Sequence, residues 1–361
     1  MDNTRRHVVV AMSGGVDSST VTALLKEKGY QVTGMMLRMW SEDGKEEFNR
    51  CCTPDSIFAA KRVAAILGIP FYVIDAKTDF HSTIVESFLD GYAAGNTPNP
   101  CIHCNKKIRW GKLLDHALAL GADLFATGHY ARIIPAANGR SHLYTGVDAT
   151  KDQSYVLSML SQEQLRKTLL PLGDLTKKEV RAHATRLQLP VAEKADSQDL
   201  CFLGDSNYRE FLKKYRPESL AAGPIMTSDG EVKGEHKGLA AYTIGQRKGI
   251  GIADQEPYYV VAKDITKNAL IVGKKADLKV SRFMAVDFNW IGSIPKVEFS
   301  AEVMIRYRAT RSAALIKTVE PGKVLVQMEE GRPDIAQGQL AVIYQGDEVL
   351  GGGFIQYEEK I

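Results

Sequence analysis

Seven residues near the amino terminus carry the strongest chemical signal: Ser13-Gly14-Gly15-Val16-Asp17-Ser18-Ser19. They stand between an apolar run at 8–12 and an amphipathic stretch at 18–28. Two glycines allow a tight turn that aims successive backbone N–H groups at an anion. The helix that opens there adds the positive end of its dipole. Ser13, Ser18 and Ser19 supply hydroxyl donors, and Asp17 supplies a carboxylate for a phosphate-bound Mg2+. Such a set suits the phosphate chain of a nucleotide.

The thiols form a second set. Cys101 and Cys104 lie three apart in Asn99-Pro100-Cys101-Ile102-His103-Cys104-Asn105-Lys106. Lys106, Lys107 and Arg109 follow at an expected helix start, where thiolates form more readily. Cys201 sits in Asp196-Ser197-Gln198-Asp199-Leu200-Cys201-Phe202. Two of these thiols could act as a persulfide carrier and its resolving partner. Cys101, Cys104 and Cys201 could instead hold an iron–sulfur cluster with one open iron. A zinc site needs four ligands as a rule, and no second Cys-x-x-Cys or His-x-x-x-His is present. Cys51 and Cys52 read as buried structural thiols.

The glycine loop is neither GxxxxGK[ST] nor GxGxxG. It resembles the pyrophosphate loop of enzymes that cleave ATP between the α and β phosphates. On that likeness Ala11, Met12, Ser13, Gly14, Gly15, Val16, Asp17 and Ser18 line ATP with its Mg2+. Open α/β sheets bind ligands at the carboxyl ends of their strands. Leu37, offering backbone groups to adenine, and Gly128, allowing close approach of base or ribose, occupy such ends.

The elements that must position these groups alternate over the first two hundred residues. Strands are expected at 8–12, 31–37, 71–74 and 124–127, and helices at 18–28, 54–67, 80–92, 106–120 and 177–189. Thr53 with Pro54, and Thr176 with Glu179, give two of those helices their start signals. The alternation predicts a parallel, doubly wound α/β domain over 1–206. Short alternating strands mixed with Gly and Lys follow, a small central domain over 207–278. From 279 to 361 strand follows strand, including one at 296–307, as in a C-terminal antiparallel β-barrel.

Composition agrees with a soluble globular chain. At 361 residues two or three domains are expected. Hydrophobic residues make up 44% and charged ones 25%, and no apolar run reaches membrane-spanning length. The start leads into the glycine loop, without a cleavage signal, so the expected location is cytoplasmic. A net charge of +3 excludes a wholesale basic coat but not a local groove for nucleic acid. Residues 301–317 carry Arg306, Arg308, Arg311 and Lys317 against Glu302 alone. Alternation along a strand would put Arg306 and Arg308 on one face and Tyr307 on the other.

Taken in order, these motifs resemble the tRNA-specific 2-thiouridylase family over nearly the whole chain. Gly128-His129-Tyr130, Lys151-Asp152-Gln153-Ser154-Tyr155, Tyr242-Thr243-Ile244-Gly245-Gln246-Arg247-Lys248-Gly249 and Arg306-Tyr307-Arg308 complete the match. The resemblance implies 2-thiolation of the wobble uridine of tRNA. ATP adenylates the 2-carbonyl oxygen, and sulfur arrives as a persulfide on Cys201 with Cys104 as catalytic nucleophile, leaving a Cys104–Cys201 disulfide. A cysteine desulfurase or sulfur-relay protein would donate the sulfur. Asn99, Pro100 and Cys101 would line the flipped base, and His129, Lys151, Asp152, Gln153, Arg306, Tyr307 and Gln339 would contact the tRNA. Some members carry an acid where this chain has Cys101, and related thiolases hold a cluster on Cys-x-x-Cys plus a distant cysteine. A small-molecule adenylating ligase would share the loop but not need the cysteines. An ATP-binding RNA module would keep the basic strand and make the thiols dispensable.

Overall fold

A computed structural model describes residues 6–42, 44, 52–195, 200–204, 207–278, 280–292 and 296–357. Cys51 and the Asp196–Asp199 part of the Cys201 motif lie outside the described residues. The chain divides into two compact units. The first takes Met1–Val85, Cys101–Asp205 and Asp347–Val349; the second takes Glu86–Pro100, Ser206–Gly346 and Leu350–Ile361.

In the first unit, five parallel strands form one sheet: β1 (His7–Ala11), β2 (Gln31–Arg38), β3 (Phe71–Asp75), β4 (Leu124–Ala126) and, after a hairpin of β5 (Ala131–Pro135) and β6 (Ser141–Thr145), β7 (Thr168–Leu169). Their order is β3-β2-β1-β4-β7. The chain winds outward from β1 to β3, then returns to the other side of β1. The switch point therefore falls between β1 and β4, where such sheets open a crevice at their carboxyl ends. β1 can occupy the middle because Val8, Val9 and Val10 are fully buried.

The expected helix starts are present. Thr53 accepts from Ser56 N at 3.0 Å to cap Pro54–Leu67. Thr176 and Glu179 form a reciprocal capping box for Lys177–Arg186. The stretch expected as one helix over 106–120 begins earlier, at Pro100–His103, and runs as a π-helix over Cys104–Leu113 before Leu114–Ala119. The β5–β6 hairpin is absent from the sequence reading, although Asn138-Gly139 marks its turn and Gly139 has φ 77°.

The second unit contains two β assemblies. β8 (Gly223–Thr227), β9 (Val232–His236), β10 (Tyr259–Asp264) and β11 (Ala269–Gly273) pair in the order β10-β11-β8-β9. Ile225, Leu239, Tyr242, Val260, Leu270 and Val272 make their core. β12 (Val280–Trp290), β13 (Glu298–Met304), β14 (Ser312–Glu320), β15 (Lys323–Arg332), β16 (Leu340–Gln345) and β17 (Glu348–Gln356) run β12-β15-β14-β13-β16-β17. A β12–β17 pairing closes this ring into a six-stranded antiparallel barrel. Closure removes the free edges of the sheet.

One expectation about the barrel fails. β13 ends at Met304, so Arg306, Tyr307 and Arg308 lie in a turn, not on a strand. Arg308 has φ 62°, a left-handed conformation that breaks strand alternation. Its guanidinium lies 5.3 Å from the centre of the Tyr307 ring, so the two groups assigned opposite faces stack together. Among the described residues no helix is long and apolar enough to cross a membrane.

The barrel core gives a stability test. Phe283 is fully buried, and truncating such a ring typically costs about 3–5 kcal/mol. Phe283→Ala should shift the barrel's urea transition by that amount, followed through Trp290, whose ring lies 4.5 Å from Phe288.

Candidate nucleotide and thiol site

The site is built where β1 gives way to the glycine loop. Gly14 has φ +68°, and a Cβ there would stand 2.1 Å from the Ser56 carbonyl oxygen. Only glycine fits so close to that backbone. Ser18 Oγ accepts from Ser13 N at 3.1 Å and lies 3.2 Å from Ser13 Oγ, which folds the loop over the helix start. Gly15 is the N-cap of Val16–Glu27 and supplies no side-chain cap. The first N–H groups of that helix are thus left to an anion.

On the other side of the switch point Thr127, Gly128 and His129 follow β4. A Cβ on Gly128 would sit 2.9 Å from Ser18 N, so this glycine abuts the amino end of the helix. Ala11, Met12, Ser13, Asp17, Ser18, Leu37, Met39, Arg109, Leu113, Thr127, Gly128, His129 and Gln153 line a cavity of about 160 Å³. Most of the residues expected to bind ATP are brought together here. Gly14, Gly15 and Val16 complete the adjoining turn.

Asp17 is the only acid among those lining residues. Its carboxylate accepts Lys177 Nζ at 2.7 and 2.9 Å and the Tyr130 hydroxyl at 2.7 Å. Lys177 is a site residue that the sequence reading missed. The signal was present: it follows the Thr176 cap, so it stands at the first turn of a helix. Lys194 was missed too, and its ammonium donates to the Gly14 carbonyl at 3.0 Å. A Mg2+ carried in on phosphates needs only one or two carboxylates, and Asp17 supplies one. The residues fit that ion with Asp17 shared between it and Lys177.

His129 is buried and both ring nitrogens are occupied. Nδ1 pairs with Thr127 Oγ1 at 2.8 Å, and Nε2 lies 3.2 Å from Arg109 Nη1. Because the guanidinium can only donate, Nε2 accepts and Nδ1 carries the proton toward Thr127. Burial, with added repulsion from Arg109, holds the imidazole well below its ordinary pKa. The ring offers RNA no spare nitrogen in this state. Arg109 also donates to Asn105 Oδ1 at 3.2 Å, and Asn105 Nδ2 donates to the Val156 carbonyl at 3.1 Å.

The other expected RNA contacts carry internal bonds as well. Asp152 Oδ1 accepts from Gly146 N at 3.0 Å, and its Oδ2 accepts from Ser154 Oγ at 2.8 Å. Gln153 Oε1 accepts from Tyr130 N at 3.1 Å. Lys151 is half-buried beside them. In the second unit, Gln339 Nε2 donates to the Thr97 carbonyl at 2.8 Å, and Thr97 N donates to the Gln337 carbonyl at 2.9 Å. Gln339 therefore braces the segment that carries Asn99 and Pro100. Arg306 Nη2 lies 3.2 Å from Asp334 Oδ2.

Cys104 is buried, Cys101 exposed and Cys201 intermediate, all within the first unit. The chain passes between the units at Pro100–Cys101, so Asn99 and Pro100 fall in the second. Cys52 is buried and receives Met39 N at 3.3 Å, as a structural thiol does. Among the described residues no three His, Cys, Asp or Glu side chains gather to hold a metal ion. Cys101, Cys104 and Cys201 are thus not gathered as the ligands of a cluster.

Two outcomes test this geometry. Gly14→Ala should abolish ATP binding in calorimetry, since relieving the clash moves the Ser56 backbone or the loop. The second outcome concerns pH. Unfolded, His129 takes up a proton below about pH 6.5, whereas the folded ring resists it. The unfolded state then binds more protons, so this contribution to stability is complete above that pH and is lost as pH falls. His129→Gln should flatten the decline of Tm between about pH 6.5 and 5 relative to the parent chain.

Three family descriptions match consecutive parts of the chain: a tRNA methyl transferase HUP domain over residues 6–205, a tRNA methyl transferase PRC-barrel domain over 209–274, and an aminomethyltransferase β-barrel domain over 280–355. The tRNA-specific 2-thiouridylase MnmA of Chloroflexus aurantiacus is 46% identical over 98% of this chain and 99% of its own. That of Moorella thermoacetica is 48% identical over 98% of this chain and 100% of its own. A U34-tRNA thiolase, NcsA from Methanococcus maripaludis with its [4Fe-4S] cluster, shares 20% identity and a TM-score of 0.37, covering 60% of this chain and 69% of that one. That likeness is too distant to bear on the chemistry. The domain descriptions speak of methyl transfer, but the relatives matched from end to end are thiouridylases. Full-length identity outweighs a domain label, and the chain belongs to the tRNA-specific 2-thiouridylase family.

Proposed function

We propose that this enzyme 2-thiolates the wobble uridine of tRNA, using ATP to adenylate the 2-carbonyl and a protein persulfide to deliver sulfur. The observation that carries the reading is the uncapped helix start behind Gly14 and Gly15, facing Gly128 across the switch point. Donors in that position suit a phosphate chain whose charge grows as pyrophosphate departs. The cytoplasm, and the domain limits 1–206, 207–278 and 279–361, belong to the same reading.

The steps follow from the groups present. Ala11 to Ser18 cradle the phosphates, and Leu37 and Gly128 border the adenosine. Lys177 on Asp17, Lys194 on the Gly14 carbonyl and Arg109 in the cavity lining are placed to stabilise negative charge. When bound, Mg2+ on Asp17 would neutralise phosphate charge. The uracil 2-oxygen attacks the α-phosphorus and pyrophosphate leaves, turning a poor leaving group into AMP. The terminal sulfur of a Cys201 persulfide attacks C2, and AMP departs with the bond to oxygen. Cys104 thiolate then attacks the Cys201 sulfur, forming a Cys104–Cys201 disulfide and releasing 2-thiouridine. Two electrons from a thiol reductant restore both thiols, and a sulfur donor, a cysteine desulfurase or relay protein, reloads Cys201.

For RNA, the target base must leave the anticodon stack to reach the catalytic groups. Asn99, Pro100 and Cys101 are proposed to border it. His129, Lys151, Asp152, Gln153, Arg306, Tyr307 and Gln339 are proposed to support the surrounding nucleotides, Gln339 through its brace on Thr97.

Cys201→Ala should abolish thiolation of tRNA in a reconstituted assay while ATP and tRNA binding persist. Retained thiolation would overturn the persulfide route. Iron and acid-labile sulfide after anaerobic purification supply the second measure. An active protein with neither is expected, and a stoichiometric cluster required for turnover would replace this mechanism.

A further inference from the structure

The motif Tyr242 to Gly249 takes no part in the proposed thiolation steps. It lies in the second unit, where its loop is braced from within. Gln246 Oε1 accepts from Thr243 N at 3.1 Å and its Nε2 donates to the Lys248 carbonyl at 2.9 Å. Gly245 N donates to the Val260 carbonyl at 2.8 Å, and Val260 N donates to the Gln246 carbonyl at 3.0 Å. These bonds fasten the loop to β10 and leave Arg247 and Lys248 exposed at its tip. Neither side chain has an ion-pair or hydrogen-bond partner among the described residues.

The loop also touches the barrel's basic turn. Gly245 has φ +83°, and a Cβ there would stand 2.6 Å from the Pro333 carbonyl and 3.7 Å from Asp334 Cα. Asp334 is the half-buried hub of that turn. Arg332 donates to both its oxygens at 2.9 Å, and Arg306 Nε reaches Oδ2 at 3.2 Å. Burial alone would raise the Asp334 pKa, but the two guanidiniums outweigh it and hold it below the ordinary range. Arg308 stacks on Tyr307 in the same turn. Asp334 thus fixes two arginines and neutralises one charge, while Arg247, Lys248 and Arg308 are met by no acid among the described residues.

We infer that Arg247 and Lys248 extend the basic turn at Arg306 and Arg308 into one surface that binds the phosphate backbone of tRNA. The inference rests on the tRNA reading above. Phosphate is the occupant that unneutralised cations select, because exposed like charges repel until an anion covers them. The loop tip offers no aromatic ring or side-chain amide free to read a base, since the Gln246 amide is spent inside the loop. Its contribution is therefore to affinity across substrates and not to choice among them.

The test compares R247A/K248A with the parent chain in tRNA binding over a salt series. Each phosphate contact adds about 0.7–0.9 to the slope of log K against log salt. The double variant should lose roughly 1.5 from that slope and on the order of tenfold in affinity near 0.1 M salt. The loss should be equal for tRNAs of different anticodon, with KM raised and kcat at saturating tRNA unchanged. R247K should bind as the parent does, since a phosphate needs the charge and not the fork. K213A/K275A, two exposed lysines of the same unit outside the basic turn, controls for general loss of charge. An unchanged slope in R247A/K248A, beside a parent that binds tRNA, would overturn the surface and leave the proposed function standing. A parent that binds no tRNA would overturn both.

Discussion

The close approach of three backbone segments at Gly14, Gly128 and Ser56 is the constraint on which the first unit's site depends. A single added carbon at Gly14 would collide with the Ser56 carbonyl, and one at Gly128 would press on Ser18 N. Because no side chain intervenes, the helix start at Gly15 lies open between the two halves of the sheet. Asp17 points from the first turn of that helix to meet Lys177 and Tyr130, which arrive from distant parts of the chain. The glycines thus set the width of the cleft, and the ion pair sets its charge.

A second layer of order comes from polar side chains that brace loops. Gln246, Gln339, Asp152 and Gln153 all spend their amide or carboxylate groups on backbone partners. Residue types that suggest RNA contact in a sequence are used here to hold loops whose neighbours are exposed. Bracing lowers the cost of ordering those loops when a ligand binds, because less entropy remains to be lost. His129 belongs to the same class, its neutral ring closing a chain from Thr127 to Arg109.

Much of the fold was legible because its signals are local. Thr53 before Pro54, and Thr176 before Glu179, mark helix starts through bonds spanning three residues. The valines of β1 mark a strand buried on both faces. The hairpin of Ala131–Pro135 and Ser141–Thr145 carries one local signal, Asn138-Gly139, and interrupts the strand–helix alternation on either side of it. The strand through Arg306 was overextended. Its end is set by the left-handed turn at Arg308, which composition does not reveal in a non-glycine residue.

The sequence by itself determined the glycine loop, the three thiols Cys101, Cys104 and Cys201, the parallel domain and the strand-rich second half. Each of these depends on residues close together along the chain, where steric limits and hydrogen-bond reach act directly. Tertiary structure alone decided that Lys177 meets Asp17, that His129 is buried against Arg109 and so stays neutral, and that Gly245 rests against Pro333. Those partners are 160, 20 and 88 residues apart. Their meeting is fixed by how the sheet winds and how the second unit packs, and no local periodicity encodes a distance of that kind.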